Sequence, residues 1–187
     1  MTVAIALDTS SRRTGYVRGR VDGSAPLRID SFGLIREDKN DIGEGMVAFR
    51  EALRPRLTGV DIIFMEKPVM PYSKLNLTTL RILYGIAGMV EVLAKDLKIP
   101  CFDVDNGKHK KLIYGKGGPK PQNTMDLAKS WGFDASNEDE ADAAGVFLYS
   151  VQQFYPQEFL HWQRIKQNNP LVPFIPKNKK PKAKSKK

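Results

Sequence analysis

The chain has 187 residues, 41% apolar and 27% charged, enough of the first to build a core and of the second to keep it soluble. That length suits one domain and argues against two full ones. The net charge of +9 points to a polyanionic partner, but seven lysines and no acid fall in 177–187, so the rest of the chain carries only +2 and the excess sits in a tail.

Cys101 is the one cysteine, which excludes an intramolecular disulfide and a cysteine-rich zinc site and suits a reducing compartment. It reads as a small buried hydrophobe. From the N-terminus, 3–7 is an apolar run ending at Asp8; it lacks the basic start and the length of a signal peptide and reads as a strand. After a Ser/Arg-rich turn, 16–21 alternates as the second strand of a hairpin. Asp22, Gly23 and Ser24 then separate it from a third antiparallel strand over 27–34. Met46, Val47, Phe49, Leu53 and Leu57 at helical spacing predict a helix over 44–57, stopped by Gly59. The run 60–65 predicts a strand ending at Glu66, because Pro68 has no amide to extend a ladder.

The longest helix is expected over 76–98. Its most apolar part, 82–94, contains Glu91 and is shorter than the ~20 residues of a bilayer span, so no membrane partner and a cytoplasmic location are expected. A strand over 99–104, a short helix or turn over 108–114, a Gly-rich loop over 115–119 and helices over 121–131 and 137–155 follow. After Trp162 the chain turns Asn/Pro/Lys-rich without periodicity, giving a domain over 1–162 and a flexible basic tail over 163–187. The order βββαβαβα predicts an α/β fold: a mixed five-stranded sheet, an antiparallel hairpin unit continued by parallel strands, flanked by helices.

Asp8 and Glu66 end strands, where side chains project beyond the packed core. Asp139 and Asp142, three apart at the start of the last long helix, point the same way. Each has a plain alternative: strand-end charges are commonly solvated, and 137–140 is a helix start with Asn137 as cap and acids favoured by the dipole. Taken together, the positions describe a way of holding hard divalent cations with carboxylates. A phosphodiester is already negative, so its hydrolysis needs charge neutralised on the entering and leaving oxygens. Two cations about 3.5–4 Å apart supply this, with a strand carboxylate such as Asp8 bridging them.

The run Ile5-Ala6-Leu7-Asp8-Thr9-Ser10-Ser11-Arg12-Arg13-Thr14-Gly15-Tyr16 resembles the first motif of the RuvC-type Holliday-junction resolvases, with Thr9-Ser10 in place of the usual Pro-Gly. Residues 62–68, ending in Glu66-Lys67-Pro68, resemble the second motif, and Asp139-Glu140-Ala141-Asp142-Ala143 the third; the likeness spans roughly 3–150. The resemblance implies a ribonuclease H-like fold and a homodimer making paired symmetric nicks across four-way DNA junctions. It also implies two Mg2+ ions per site, with Mn2+ as a substitute, held by Asp8, Glu66, Asp139 and Asp142. Lys120 falls where the family has a lysine in the loop before a helix and is a candidate for stabilising charge at the scissile phosphate, or a plain phosphate clamp. Where the family often has an aromatic wedge, Val69-Met70-Pro71-Tyr72 stands, leaving Met70 or Tyr72 to stack on bases or simply to pack. A phage-encoded member, working in the host cytoplasm, fits the loose first motif and the lysine tail.

Arg12 and Arg13 beside Asp8, and Lys108, His109, Lys110, Lys111 and Lys116 around the Gly-rich loop, are the expected DNA contacts, His109 by preference touching phosphate. Three other readings stay open. A sugar-kinase or actin-type ATPase starts similarly but needs two such domains, and would show a nucleotide-dependent melting shift. A non-catalytic DNA-binding module would bind junctions without cutting them. A nuclease of forks or flaps would rank branched substrates differently. Removing 177–187 is expected to weaken DNA binding and flatten its dependence on log salt, by up to about 6 if every lysine meets a phosphate. Titrations of full-length and shortened chains at several salt concentrations measure this, and identical slopes would count against it.

Overall fold

Alternation along the first strand decides how the sheet is covered. In β1 (Val3–Thr9), Ala4, Ala6 and Asp8 face one side, while Ile5 and Leu7 face the other. β1 pairs antiparallel with β2 (Arg13–Arg20), which pairs antiparallel with β3 (Arg28–Gly33). On its other edge β1 pairs parallel with β4 (Ile62–Glu66), and β4 pairs parallel with β5 (Cys101–Val104). The computed structural model therefore holds a five-stranded sheet in the order β3-β2-β1-β4-β5, the predicted antiparallel unit continued by parallel strands. It describes residues 1–24, 27–34, 38, 41–68, 77–114 and 121–169. Met70, Tyr72, Lys116, Lys120 and the lysines of 177–187 lie outside the described residues.

Each face has its own core. On one, α1 (Ile42–Leu53) and α2 (Leu77–Asp96) cover Ile5, Leu7, Tyr16, Ile63 and Met65. The helix predicted over 44–57 is divided: α1 ends at Leu53 and a 3-10 turn, Arg54–Leu57, follows, because Pro55 can neither donate nor accommodate the preceding turn. α2 is 20 residues long and apolar enough to cross a membrane by length and composition. In the fold its stripe of Ile82, Ile86, Val90 and Leu93 is instead buried in this core.

On the other face lies α5 (Glu138–Phe154), almost wholly buried, its Ala141, Ala143, Ala144 and Gly145 letting the helix sit close on the sheet. α3 (Asn106–Tyr114) and α4 (Pro121–Ser130) flank it. α6 (Pro156–Asn168) closes the end: the expected boundary at 162 falls inside this helix, which begins with Pro156 in its first turn and buries Phe159 and Trp162. Trp162 stacks on Phe133 at 5.2 Å and donates from Nε1 to the Val21 carbonyl at 2.9 Å, beside the β2–β3 turn where Gly23 takes φ 70°. Trp162→Ala removes both the ring and the donor. It is expected to cost about 3–5 kcal/mol in urea unfolding, and a loss below 1 kcal/mol would mean that α6 is not part of the cooperative domain.

Candidate active site

Asp8 and Glu66 meet because their strands are in register. Ala4 lies beside Ile62 and Leu7 beside Met65, so the next residues, Asp8 and Glu66, end adjacent parallel strands on the α5 face. Their carboxyl groups are close enough for a shared proton to join them, and Asp142 is close enough to act on Asp8 by its charge. Asp8, Glu66 and Asp142 are only 7%, 6% and 8% exposed, so water does little to separate their charges. Burial first, then the hydrogen bond and charge of Glu66 and the charge of Asp142, push the Asp8 carboxyl well above its ordinary value of 3.8; Lys110 opposes them.

Two devices bring Asp142 to this place. Gly15, the strand partner of Asp8, faces the first turn of α5 so closely that a Cβ there would lie 2.0 Å from the Asp139 carbonyl oxygen. Backbone meets backbone, and no side chain fits between. The second device is the cap of α5. Asn137 caps α5 by accepting from the Glu140 amide at 3.1 Å, and the Glu140 carboxylate accepts from Asn137 Nδ2, from the amide and hydroxyl of Ser136, and from Ser31 Oγ on β3 at 2.9 Å. Burial alone would raise the Glu140 carboxyl, but these donors hold it below its ordinary value. Glu140 thus ties the start of α5 to the sheet. The sequence carries the signal for this, an Asn followed three residues later by Glu, of which only the Asn137 cap is predicted above.

Lys110 and His109 are not where a surface reading put them. Lys110 Nζ lies 3.0 Å from Asp142 and 3.9 Å from Glu66, inside the carboxylate cluster. Burial would lower its pKa; Asp142 and Glu66 outweigh that and raise it. His109 is fully buried, its Nδ1 3.3 Å from the Asp105 carbonyl oxygen and its Nε2 3.7 Å from Glu66, so it backs the site and offers DNA no surface. Burial holds its pKa below the ordinary value against the pull of Glu66, keeping it neutral. The remaining predicted contacts are exposed: Arg12, Arg13, Lys108 and Lys111. Asp139 is partly buried and lies 3.9 Å from Arg13, one helical turn before Asp142. Burial first raises its pKa, with Arg13 opposing.

The donor set suits a hard divalent cation: carboxylate oxygens from two strands and a helix. Buried Glu66 Oε1 has no hydrogen-bond partner among the described residues, an acceptor oriented for a cation. Among the described residues, however, no three Asp, Glu, His or Cys side chains already converge as a metal-holding group. Among the described residues, the Lys110 ammonium lies against Asp142 and Glu66.

No family model matches the sequence, and no curated protein matches it. Solved structures do. RuvC of T. thermophilus in complex with a Holliday junction substrate superposes with a TM-score of 0.64 at 14% identity, covering 84% of this chain and 96% of that one. A second Thermus thermophilus RuvC structure gives 0.59 at 13% identity, covering 81% and 96%. The chain has the RuvC fold, ribonuclease H-like as the sequence implied.

Gly15→Ala is expected to leave the protein folded, by circular dichroism, but to lower any nuclease activity on the order of 10²-fold, the cost of displacing reacting groups by about 1 Å. Unchanged activity would show that the close approach is incidental. Asp8 gives a pH prediction. The folded state keeps on Asp8 a proton that the unfolded chain releases near 3.8, so this group makes the fold less stable as pH rises from there toward the raised folded value. Asp8→Asn, which donates to Glu66 without a charge, should raise the neutral-pH melting temperature of the metal-free protein by roughly 2–4 °C, the shift of about 1 kcal/mol in a domain this size. A lower melting temperature would contradict the like-charge account.

Proposed function

We propose that this chain is a divalent-metal-dependent DNA endonuclease that resolves four-way junctions by paired nicks. The observation that carries the reading is the cluster of three buried carboxylates, Asp8, Glu66 and Asp142, drawn from β1, β4 and α5 of a RuvC fold. The neighbouring RuvC structure is a complex with a Holliday junction substrate, which supports branched DNA as the class of ligand.

Asp8, Glu66 and Asp142, with Asp139 one turn away, would hold two Mg2+ or Mn2+ ions, which neutralise the charge that builds on the entering and leaving oxygens of a phosphodiester. The chain's own groups do the rest. Lys110, already among the carboxylates, supplies positive charge next to the reacting phosphate. Neutral His109 packs behind Glu66 without competing for a cation. Arg13 tethers Asp139 and, with exposed Arg12, presents guanidinium groups to the strand being cut. Lys108 and Lys111 on α3, with Lys116, Lys120 and the lysine tail, would hold backbone phosphates. Met70 or Tyr72 would be the wedge at the junction centre.

The homodimer belongs to the same proposal. α2 leaves Leu77, Tyr84 and Val92 exposed along one side, α1 adds Val47, and beyond Gly88 there is open space. A second copy covering this surface would supply the second active site that paired nicking needs. A strictly monomeric protein in sedimentation experiments at micromolar concentration would exclude it.

Wild-type protein with Mg2+ is expected to cut a synthetic four-way junction in preference to fork and duplex of the same sequence. Asp8→Asn should bind the junction with unchanged affinity and not cut it. Binding without cutting by both proteins would make the chain a binding module. Faster cutting of forks than of junctions would move it to the broader branched-DNA nucleases.

A further inference from the structure

On the face of the sheet away from Asp8, β2, β3 and the 3-10 turn after α1 enclose a cavity of about 460 Å³. Its chemistry is that of an arginine cluster: Arg18 from β2, Arg28 from β3 and Arg56 from the turn all line it. Period-two alternation puts Arg18 and Arg28 side by side, since they are direct cross-strand partners. Like charges so placed repel, and the fold compensates them only in part. Among the described residues, the one ion pair these three make is Arg28 to Asp30, at 3.6 Å. That carboxylate is already shared, accepting from the Tyr16 hydroxyl at 3.2 Å and from the Ser31 amide at 2.8 Å.

Arg18 and Arg56 are fixed in place but left incomplete. Arg18 Nη2 donates to the Thr58 carbonyl at 2.6 Å, and Arg56 Nη1 donates to the Ala52 carbonyl. The Arg56 guanidinium also lies 5.3 Å from the Tyr16 ring centre and 4.8 Å from that of Phe32, which fixes its plane. Yet the Nε atoms of both are buried without a hydrogen-bond partner. A buried charged donor with no acceptor is costly. Two guanidiniums held in place by their carbonyl and ring contacts, with exposed Arg28 beside them, line one cavity and form an arrangement that binds a tetrahedral oxyanion by several charge-assisted hydrogen bonds. The volume exceeds what phosphate needs and falls in the range of small-molecule sites.

We propose that this cavity is a phosphate site sized for a nucleotide, separate from the carboxylate centre and on the opposite face of the sheet. The same phosphate chemistry is offered by a free nucleotide and by a nucleotide unit of a DNA strand.

The test follows the Arg18 and Arg56 Nε–H resonances of 15N-labelled full-length protein by NMR during titration with inorganic phosphate, deoxyadenosine monophosphate and a short single-stranded oligonucleotide. Saturable shifts of both resonances with phosphate, and tighter ones with the nucleotide or the oligonucleotide, are expected. Arg28→Gln, at an exposed position that leaves the fold intact, should weaken binding roughly tenfold, as for loss of one charged hydrogen bond. Saturation by the mononucleotide and not the oligonucleotide identifies a free nucleotide as the ligand; tighter saturation by the oligonucleotide identifies a DNA strand. The proposal is overturned if neither resonance saturates with any probe, if Arg28→Gln binds as wild type does, or if phosphate alone binds and both nucleotide probes fail.

Discussion

Holding like charges together away from water is the condition on which the candidate site rests. Two unit charges about 4 Å apart interact by about 4 kcal/mol at an effective dielectric constant of 20. A whole domain is stable by only about 5–15 kcal/mol. Three ionised carboxylates at Asp8, Glu66 and Asp142 would therefore threaten the fold unless something neutralised them. The chain answers twice: Asp8 holds its proton far above the ordinary range, and Lys110 places an ammonium 3.0 Å from Asp142. Both answers yield readily to a stronger cation, since a proton can leave and a flexible lysine can swing away.

Keeping such groups together also demands a rigid frame. β1 and β4 give that frame to Asp8 and Glu66, because each strand is buried on both faces and fixed in register by its neighbours. Asp142 rides on a helix, and a helix can slide. Its position is settled by the approach of α5 to Gly15 and by the bonds gathered on Glu140, which join Ser31 on the sheet to Ser136 and Asn137 at the helix start. A single buried carboxylate thus orients the turn carrying Asp139 and Asp142.

Much of this was legible in the chain. The short apolar runs 3–7 and 60–65, each ending in an acid, read as strands with Asp8 and Glu66 at their ends, and the mixed sheet followed from the order of elements. Where the reading failed, tertiary contacts decide. Lys108, His109, Lys110 and Lys111 look alike as a basic run, and only the docking of α3 against α5 turns His109 and Lys110 inward while leaving the other two in solvent. Pro55 marked the break after Leu53 in plain sight, but the continuing apolar spacing to Leu57 concealed it. α6 was missed because its apolar residues are few among polar ones; their meaning lies in Phe133 and Val21, far away in sequence.

The contact at Gly15 bears on how far such a sequence can drift. The gap between sheet and helix there is set by main-chain atoms, which every residue shares, and by the lack of one side chain. The apolar residues behind it can be exchanged for others of similar volume, layer by layer, without moving the carboxylates, provided that one position stays bare. A fold matched at 14% identity over most of two chains is what such tolerance permits. Long divergence can rewrite the core while the geometry of a few acids persists, carried by the backbone more than by the residues around it.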